Sequence, residues 1–176
     1  SSHQINSRQR GFSFKGDKKL DMRMNNDLEF SAVDLLNTYK KDQLINMFSK
    51  YGEIRNSIQL ANSILRNRKK KKIKKTIDFI DIIKPFAKKK KEEKYYAKVF
   101  QAIRIEINDE INSLKDLLLQ SKITLNKKGR LVVISYHSLE DRLIKNFINK
   151  GNFIGEPEKD FYGNQIKIFK SISKKP

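Results

Sequence analysis

Ser135, Tyr136, His137 and Ser138 stand between two apolar patterns. Before them runs Leu131-Val132-Val133-Ile134, a continuous apolar stretch suited to a strand buried on both faces. After them Leu139, Leu143, Ile144 and Phe147 recur at helical spacing, with Ser138 placed to cap that helix and Asp141 three residues on. In open α/β sheets, ligands bind just beyond the carboxyl ends of the strands, so a hydroxyl, a phenol and an imidazole here could orient one. A plain strand-to-helix connection with a hydrogen-bonded histidine accounts for the same residues. A second polar pair, Asp21 and Arg23, lies in Leu20-Asp21-Met22-Arg23-Met24. The pair could line a pocket, or the flanking methionines could simply pack the loop down.

The elements that must position these groups follow from the rest of the chain. Residues 1–29 read as loop, with Gly11-Phe12-Ser13-Phe14 and the turn-like Gly16-Asp17. Residues 31–97 read as a small helical module. Ser31 caps a helix bearing Ala32, Val33, Leu35 and Leu36, with Asp34 in its first turn. Leu44, Ile45, Met47 and Phe48 form a second group that Gly52 breaks. Ile54, Ile58, Ala61 and Leu65 form a third, and a helix capped by Thr76 carries Ile77, Ile80 and Ile83 to Pro85. The spacing of Phe100, Ile103, Ile107, Ile111, Leu114 and Leu118 predicts one long helix from Tyr95 to about Gln120. Beyond residue 149, Asn152 to Ile154 and Gln165 to Ile172 read as two strands joined across Pro157 and the turn Phe161-Tyr162-Gly163-Asn164.

Composition narrows the partner. The 176 residues carry a formal charge of +19, which calls for a polyanion, most simply a nucleic acid, although an anionic membrane surface or genomic nucleotide bias would give the same figure. Arg66-Asn67-Arg68-Lys69-Lys70-Lys71-Lys72-Ile73-Lys74-Lys75 holds eight basic residues in ten, and Lys88 to Lys91 form a second run. Arg68, Lys70 and Lys72 are candidate RNA contacts, since each cation that neutralises a phosphate releases a counterion. A solvated loop is the competing account of such blocks. Cysteine is absent, which excludes disulfides and thiolate metal sites and fits a cytoplasmic location. With His3 and His137 the only histidines, no cluster suggests a metal. No apolar run approaches the roughly 20 residues that span a bilayer, so no membrane partner is expected.

Three stretches, in order, resemble a known family. They are Gly11-Phe12-Ser13-Phe14 with Leu20-Asp21-Met22-Arg23-Met24; Phe100-Gln101-Ala102-Ile103-Arg104-Ile105 with Asn108 and Glu110; and Gly129-Arg130-Leu131-Val132-Val133-Ile134-Ser135-Tyr136-His137-Ser138-Leu139-Glu140-Asp141-Arg142. Together they are similar to the small-subunit ribosomal RNA cytosine-N4 methyltransferases, the RsmH or MraW family, and Tyr51-Gly52-Glu53 with Ala61 matches that family's helical insert. The resemblance implies an α/β fold: a partial Rossmann-like S-adenosylmethionine methyltransferase domain with an inserted all-helical domain. On that template residues 1–30 are a loop segment of the methyltransferase domain, 31–95 the insert, and 96–176 its C-terminal part. It implies transfer of a methyl group from S-adenosylmethionine to the exocyclic amine of a cytosine in the decoding region of 16S rRNA, with the small ribosomal subunit as partner.

The resemblance also assigns roles. Gln4 matches a cofactor-contacting glutamine, and Ser1 and Ser2 match the end of a cofactor-binding strand motif. Asp21, Ser135 and His137 become candidate catalytic groups that orient a weakly nucleophilic amine; Arg23 could hold a phosphate or the base carbonyl, and Tyr136 or Phe14 could stack on the flipped base. Glu140 and Asp141 could act only on the helix terminus. Three departures stand out. The glycines, at 11, 16, 52, 129, 151, 155 and 163, include no G-x-G pair, and Lys18 and Lys19 replace a usual Gly-Pro. Tyr136 also stands where Phe is usual. The expectation is an internal or truncated piece whose N-terminal cofactor half lies elsewhere. The alternative is a basic RNA-binding module or ribosome assembly factor without catalysis.

Overall fold

The structure is a computed structural model and describes residues 10–157, 159–164, 169, 170 and 172. It divides into two compact units, one ending at Glu110 and one beginning at Ile111. Gln4 and Ser2, and residues 165–168 and 171 of the strand expected from Gln165 to Ile172, lie outside the described residues.

Among the described residues the first unit holds five α-helices. They are α1 (Ala32–Thr38), α2 (Lys41–Gly52), α3 (Ser57–Lys70), α4 (Thr76–Ile83) and α5 (Glu92–Ile107), with a single 3₁₀ turn at Lys84–Phe86. The starts of α1, α2 and α4 each have a local cause. Ser31 caps α1 as the sequence predicts, and Asp34 makes the cap reciprocal, a capping box. Gln43 accepts from the Lys40 N–H at 2.8 Å, and Asp78 from the Lys75 N–H at 3.2 Å. Thr76 is therefore the first residue of α4 and not its cap. Its hydroxyl instead donates to the Gly16 carbonyl and accepts from the Lys18 N–H at 2.9 Å. The core gathers Leu35, Leu36, Leu44, Phe48, Leu60, Ile64, Phe79 and Ile103, all fully buried. α2 lies along α5, and Gly52 permits the approach: a Cβ there would come within 3.1 Å of the Lys98 carbonyl and 3.3 Å of the Ala102 methyl. Ile58 and Ile77, expected on core stripes, are half exposed, because Leu60, Ala61 and Ile64 form the inner face of α3 and Phe79, Ile82 and Ile83 that of α4.

The long helix expected from Tyr95 to Gln120 is two helices. α5 stops at Ile107, Asp109 turns left-handed at φ 47°, and α6 runs Glu110–Thr124. The spacing of apolar residues continues through the break, which is why the sequence hides it. The cause is side-chain chemistry at Asn108, described below.

The second unit packs α6 and α7 (Ser138–Lys150) around Leu118, Ile144 and Phe147. Phe153 stacks on Phe147 with ring centroids 5.1 Å apart. The expected strand at 131–134 is extended backbone outside any ladder among the described residues. Leu131 and Val133 pack into this cluster, while Val132 and Ile134 are 85% and 76% exposed. The two-residue alternation of a strand is present, but a ladder also requires a hydrogen-bonded neighbour. Asn152 to Ile154 form bends, not a strand. The 161–164 turn does form, tied by the Asp160 carboxylate to the Tyr162 and Asn164 N–H groups at 2.9 and 2.8 Å. The sheet expected from the resemblance is thus not seen among the described residues, whose sheet-like pairing includes an isolated antiparallel bridge of Lys19 with Lys75.

Gly11 has φ 71°, and a Cβ on it would lie 2.4 Å from the Lys19 carbonyl oxygen. Gly11→Ala is expected to lower unfolding stability by more than about 1 kcal/mol, since both the backbone angle and a backbone atom resist the methyl. Urea unfolding followed by circular dichroism checks this.

Candidate functional site

The loop from Arg10 to Met24 has few residues in regular structure, yet its backbone is tied down from Leu20 to Met24. The Leu20 N–H donates to the Lys74 carbonyl at 3.0 Å; the Asp21 and Met22 N–H groups donate to the Arg10 carbonyl at 3.2 and 2.9 Å. In return, the Ala32 and Val33 N–H groups at the start of α1 donate to the Asp21 and Leu20 carbonyls, each at 2.9 Å. Leu20 and Met22 are fully buried, and Met22 is held left-handed at φ 58°. A non-glycine residue in that region is strained and persists only where its surroundings over-determine it.

Asn108, at the end of α5, supplies much of that determination. Its side-chain Oδ1 accepts from the Met24 N–H at 2.6 Å, and its Nδ2 donates to the Met22 carbonyl and to the Arg104 carbonyl, both at 2.8 Å. One amide thus grips both sides of Arg23. Arg104 forms a bidentate pair with Glu110, at 2.8 and 3.0 Å, just past the break. The sequence shows Asn108 only as a polar residue beside an apolar stripe. Its bracing role depends on a contact across 84 residues, which no local pattern encodes.

Between those grips, Asp21 and Arg23 face the same way. The carboxylate accepts from Arg23 Nε at 2.6 Å and from Nη2 at 2.9 Å. The Arg23 Nη1 reaches on to the Leu28 and Asn26 carbonyls. Hydrogen bonding from the Arg23 side chain, chiefly, holds the Asp21 carboxyl below its usual value of 3.8, against the opposing effect of burial. Asp21 is therefore an ionised, acceptor-only group at neutral pH, fixed in orientation by a planar fork. Both side chains keep partial solvent exposure, 18% for Asp21 and 22% for Arg23. The sequence left open whether the methionines pack or the polar pair faces a pocket; Met22 packs, while the pair keeps a partly exposed face.

Phe14 sits half-buried, edge-on to Tyr96 at 5.9 Å and to Phe100 at 6.1 Å. Arg68 turns its guanidinium into the module, donating to the Leu36 and Tyr39 carbonyls at the end of α1 at 3.1 and 2.7 Å. Lys71 pairs with Asp78 at 2.7 Å and Lys75 with Asp17 at 2.7 Å. Lys70 and Lys72 are exposed, and Lys72 is near enough to Asp34 to help lower its carboxyl.

In the second unit, His137, not Ser138, is the cap of α7. Its Nδ1 accepts from the Glu140 N–H at 3.3 Å, and its Nε2 lies 3.5 Å from a Glu140 carboxylate oxygen. An imidazole nitrogen one position earlier does what the serine hydroxyl was expected to do. Glu140 also accepts from the Tyr136 N–H at 2.8 Å, so it closes the corner as well as favouring the helix terminus. The His137 side chain is 93% buried; Tyr136 is 80% exposed and Ser135 is half-buried.

The glycines were tested as a cofactor cradle. A Cβ on Gly11, Gly52, Gly129 or Gly155 would meet the chain's own atoms, and one on Gly16 or Gly163 would meet open space. The described residues therefore do not by themselves form the backbone cradle that a nucleotide-like cofactor needs.

Comparison with known proteins adds to this geometry. The MraW methylase family model matches residues 1–176. The chain belongs to the MraW methylase family. It is 49% identical over 174 residues to ribosomal RNA small subunit methyltransferase H of Cytophaga hutchinsonii, covering 99% of this chain and 58% of that protein. The protein of the same name in Parabacteroides distasonis is 48% identical over 175 residues, 99% of this chain and 57% of that one. That of Azobacteroides pseudotrichonymphae is 49% identical over 164 residues, 93% and 54% respectively. The chain thus spans a little over half the length of these MraW-family relatives. Membership brings a methyltransferase fold; no described helix is long and apolar enough to cross a membrane.

Two outcomes test this site. Asn108→Ala leaves the Met24 N–H and the Met22 carbonyl without their partner and is expected to cost about 1–3 kcal/mol in urea unfolding. Asp21→Asn loses a charged pair and is expected to cost about 1–2 kcal/mol at pH 7. Because the folded pKa is depressed, Asp21's contribution is fully present above its ordinary value of 3.8 and is lost as pH falls through the lower folded value. The stability gap between wild type and Asp21→Asn should therefore be flat from pH 7 to 5 and narrow below pH 4.

Proposed function

We propose that this chain is part of the machinery that methylates the N4 amine of a cytosine in the decoding region of small-subunit (16S) rRNA, using S-adenosylmethionine, in a cytoplasmic enzyme. The observation that carries this reading is the family match across residues 1–176. Residues named above then take roles on the acceptor side of the reaction. The methyl donor supplies an electrophilic methyl group on a sulfonium; Gln4 and Ser2 are the proposed contacts to it. The fold proposed for the whole is a Rossmann-like sheet domain carrying residues 31–95 as a helical insert.

The cytosine amine is a weak nucleophile because its lone pair is delocalised into the ring. It gains reactivity by being held at near-attack geometry with its N–H groups pointed at acceptors. Asp21 suits that role, since the Arg23 fork keeps it ionised and immobile while leaving Oδ2 a further lone pair; Oδ1 already accepts from both Arg23 Nε and the Arg23 backbone N–H. Arg23 also adds positive charge for a phosphate or for the base carbonyl. Ser135 and His137 are the proposed orienting groups of the corner, with the imidazole aligned by the Glu140 N–H. Tyr136, 80% exposed, offers a stacking face for a flipped base, and Phe14 offers a second. Lys70 and Lys72 are the proposed phosphate contacts; Arg68 is proposed to support them by bracing the helix that carries Lys70.

A second reading, a basic RNA-binding module or ribosome assembly factor that does no chemistry, draws on the +19 charge and on the lysine runs of the helical insert. Calorimetry with S-adenosylmethionine on the gene product separates the two, because a pure RNA binder gives no heat with the cofactor. In a transfer assay with tritiated S-adenosylmethionine and unmethylated small subunits, Asp21→Ala and His137→Ala should each lower turnover by about 100-fold or more with cofactor binding retained. Unchanged turnover in both would remove these two residues from the mechanism.

A further inference from the structure

Thr76 is fully buried, yet its hydroxyl does not cap the helix it opens. Its carbonyl, at the first position of α4, belongs to the helix ladder. Its N–H and its hydroxyl both turn to the loop that leads to Asp21. The N–H donates to the Lys18 carbonyl at 2.8 Å, and the hydroxyl accepts from the Lys18 N–H at 2.9 Å while donating to the Gly16 carbonyl. In an antiparallel ladder, two hydrogen-bonded residues facing each other exchange both of their N–H···O bonds. Here the helix has taken the Thr76 carbonyl, and the hydroxyl stands in for it. Next along, Lys19 bridges to Lys75, and the Leu20 N–H donates to the Lys74 carbonyl at 3.0 Å. Residues 18–20 are thus paired with 74–76, and the loop residue that follows is Asp21.

The connection that supplies this pairing, residues 71–75 between α3 and α4, is itself anchored. Ile73 is buried, and the Asn37 side-chain amide takes both of its backbone groups. Nδ2 donates to the Ile73 carbonyl at 2.8 Å, and Oδ1 accepts from the Ile73 N–H at 3.1 Å. Asn37 lies in the last turn of α1, whose first residues already hold the Leu20 and Asp21 carbonyls. The contacts close a ring: from the start of α1 to the loop, across to 74–76, and back through Ile73 to the end of α1. Its buried side-chain links are Thr76 and Asn37, since the Lys75–Asp17 pair is exposed and holds little.

We infer that Thr76 is a positioning residue for methyl transfer, supported by Asn37: its hydroxyl seats residues 16–20 so that the Asp21 carboxylate meets the acceptor amine in one fixed orientation. This role deepens the assignment of Asp21 above and rests on it. It gives the helical module a part in turnover that is separate from any affinity its cations provide.

The test is the tritium transfer assay on the gene product with unmethylated small subunits, at a temperature where circular dichroism shows every variant folded. Thr76→Val keeps the shape of the side chain and removes the hydroxyl. It is expected to lower kcat about 10- to 100-fold, as a small misplacement of a reacting group does, with KM for the subunits within about twofold of wild type. Thr76→Ser keeps the hydroxyl and is expected to keep kcat, whereas Asn37→Leu should lower it as Thr76→Val does. In an Asp21→Ala background, Thr76→Val is expected to cost no further turnover, because the two residues act as a unit. Amide hydrogen exchange of the chain alone needs no turnover. Exchange at Leu20 and Met22 is expected to be about tenfold faster in Thr76→Val than in wild type or Thr76→Ser. The proposal is overturned if Thr76→Val matches wild type in kcat or in exchange, if its loss lies in KM alone, or if its loss multiplies with that of Asp21→Ala. Slow Asp21→Ala beside normal Thr76→Val removes Thr76 alone; normal turnover in Asp21→Ala removes the assignment of Asp21, and the role of Thr76 with it.

Discussion

The hydrogen bonds that seat the backbone of Leu20, Asp21 and Met22 are the constraint on which the first unit depends. This segment has no ladder and no helix to satisfy its polar groups, so it takes its partners from three places at once. They are the Arg10 carbonyl, the Lys74 carbonyl and the start of α1. A buried backbone group without a partner would cost about as much as a lost hydrogen bond, so each contact is obligatory. Leu20 and Met22 then fill the core beneath. The result is a loop as rigid in principle as a strand, with Asp21 and Arg23 carried on its outer side.

The break after α5 belongs to the same arrangement. A helix that continued through Asn108 would keep that side chain on the helical surface. By ending the helix there, the chain frees the Asn108 amide to grip Met22 and Met24 and places Glu110 against Arg104. A longer helix is given up for a loop held from two sides. That exchange makes sense where the loop carries polar groups whose orientation matters.

The lysine-rich stretch shows how little composition says about individual charges. Residues identical in type, a few positions apart, have opposite fates: Lys71 is bound to Asp78 while Lys70 stands exposed. Exposed ion pairs of this sort contribute little to stability. Their effect is to pair some of the run's cations while Lys69, Lys70, Lys72 and Lys74 stay exposed.

By itself the sequence determined the existence of the first unit's first four helices, the Ser31 cap, the stop at Gly52 and the family to which the chain belongs, because caps, apolar spacing and ordered motifs are local or linear signals. It also singled out Asp21, Arg23 and His137 as residues able to do chemistry. Only the tertiary structure decided that Asp21 and Arg23 are locked together, that Asn108 holds their loop, that α5 and α6 are separate helices, and that His137 caps α7 in place of Ser138. The residues at 131–134 show the limit from the other side: their alternation is written in the sequence, but a ladder belongs to a pair of segments. Periodicity reports which face of an element is buried, whereas a hydrogen bond spanning 84 residues exists only once the chain has brought both ends together.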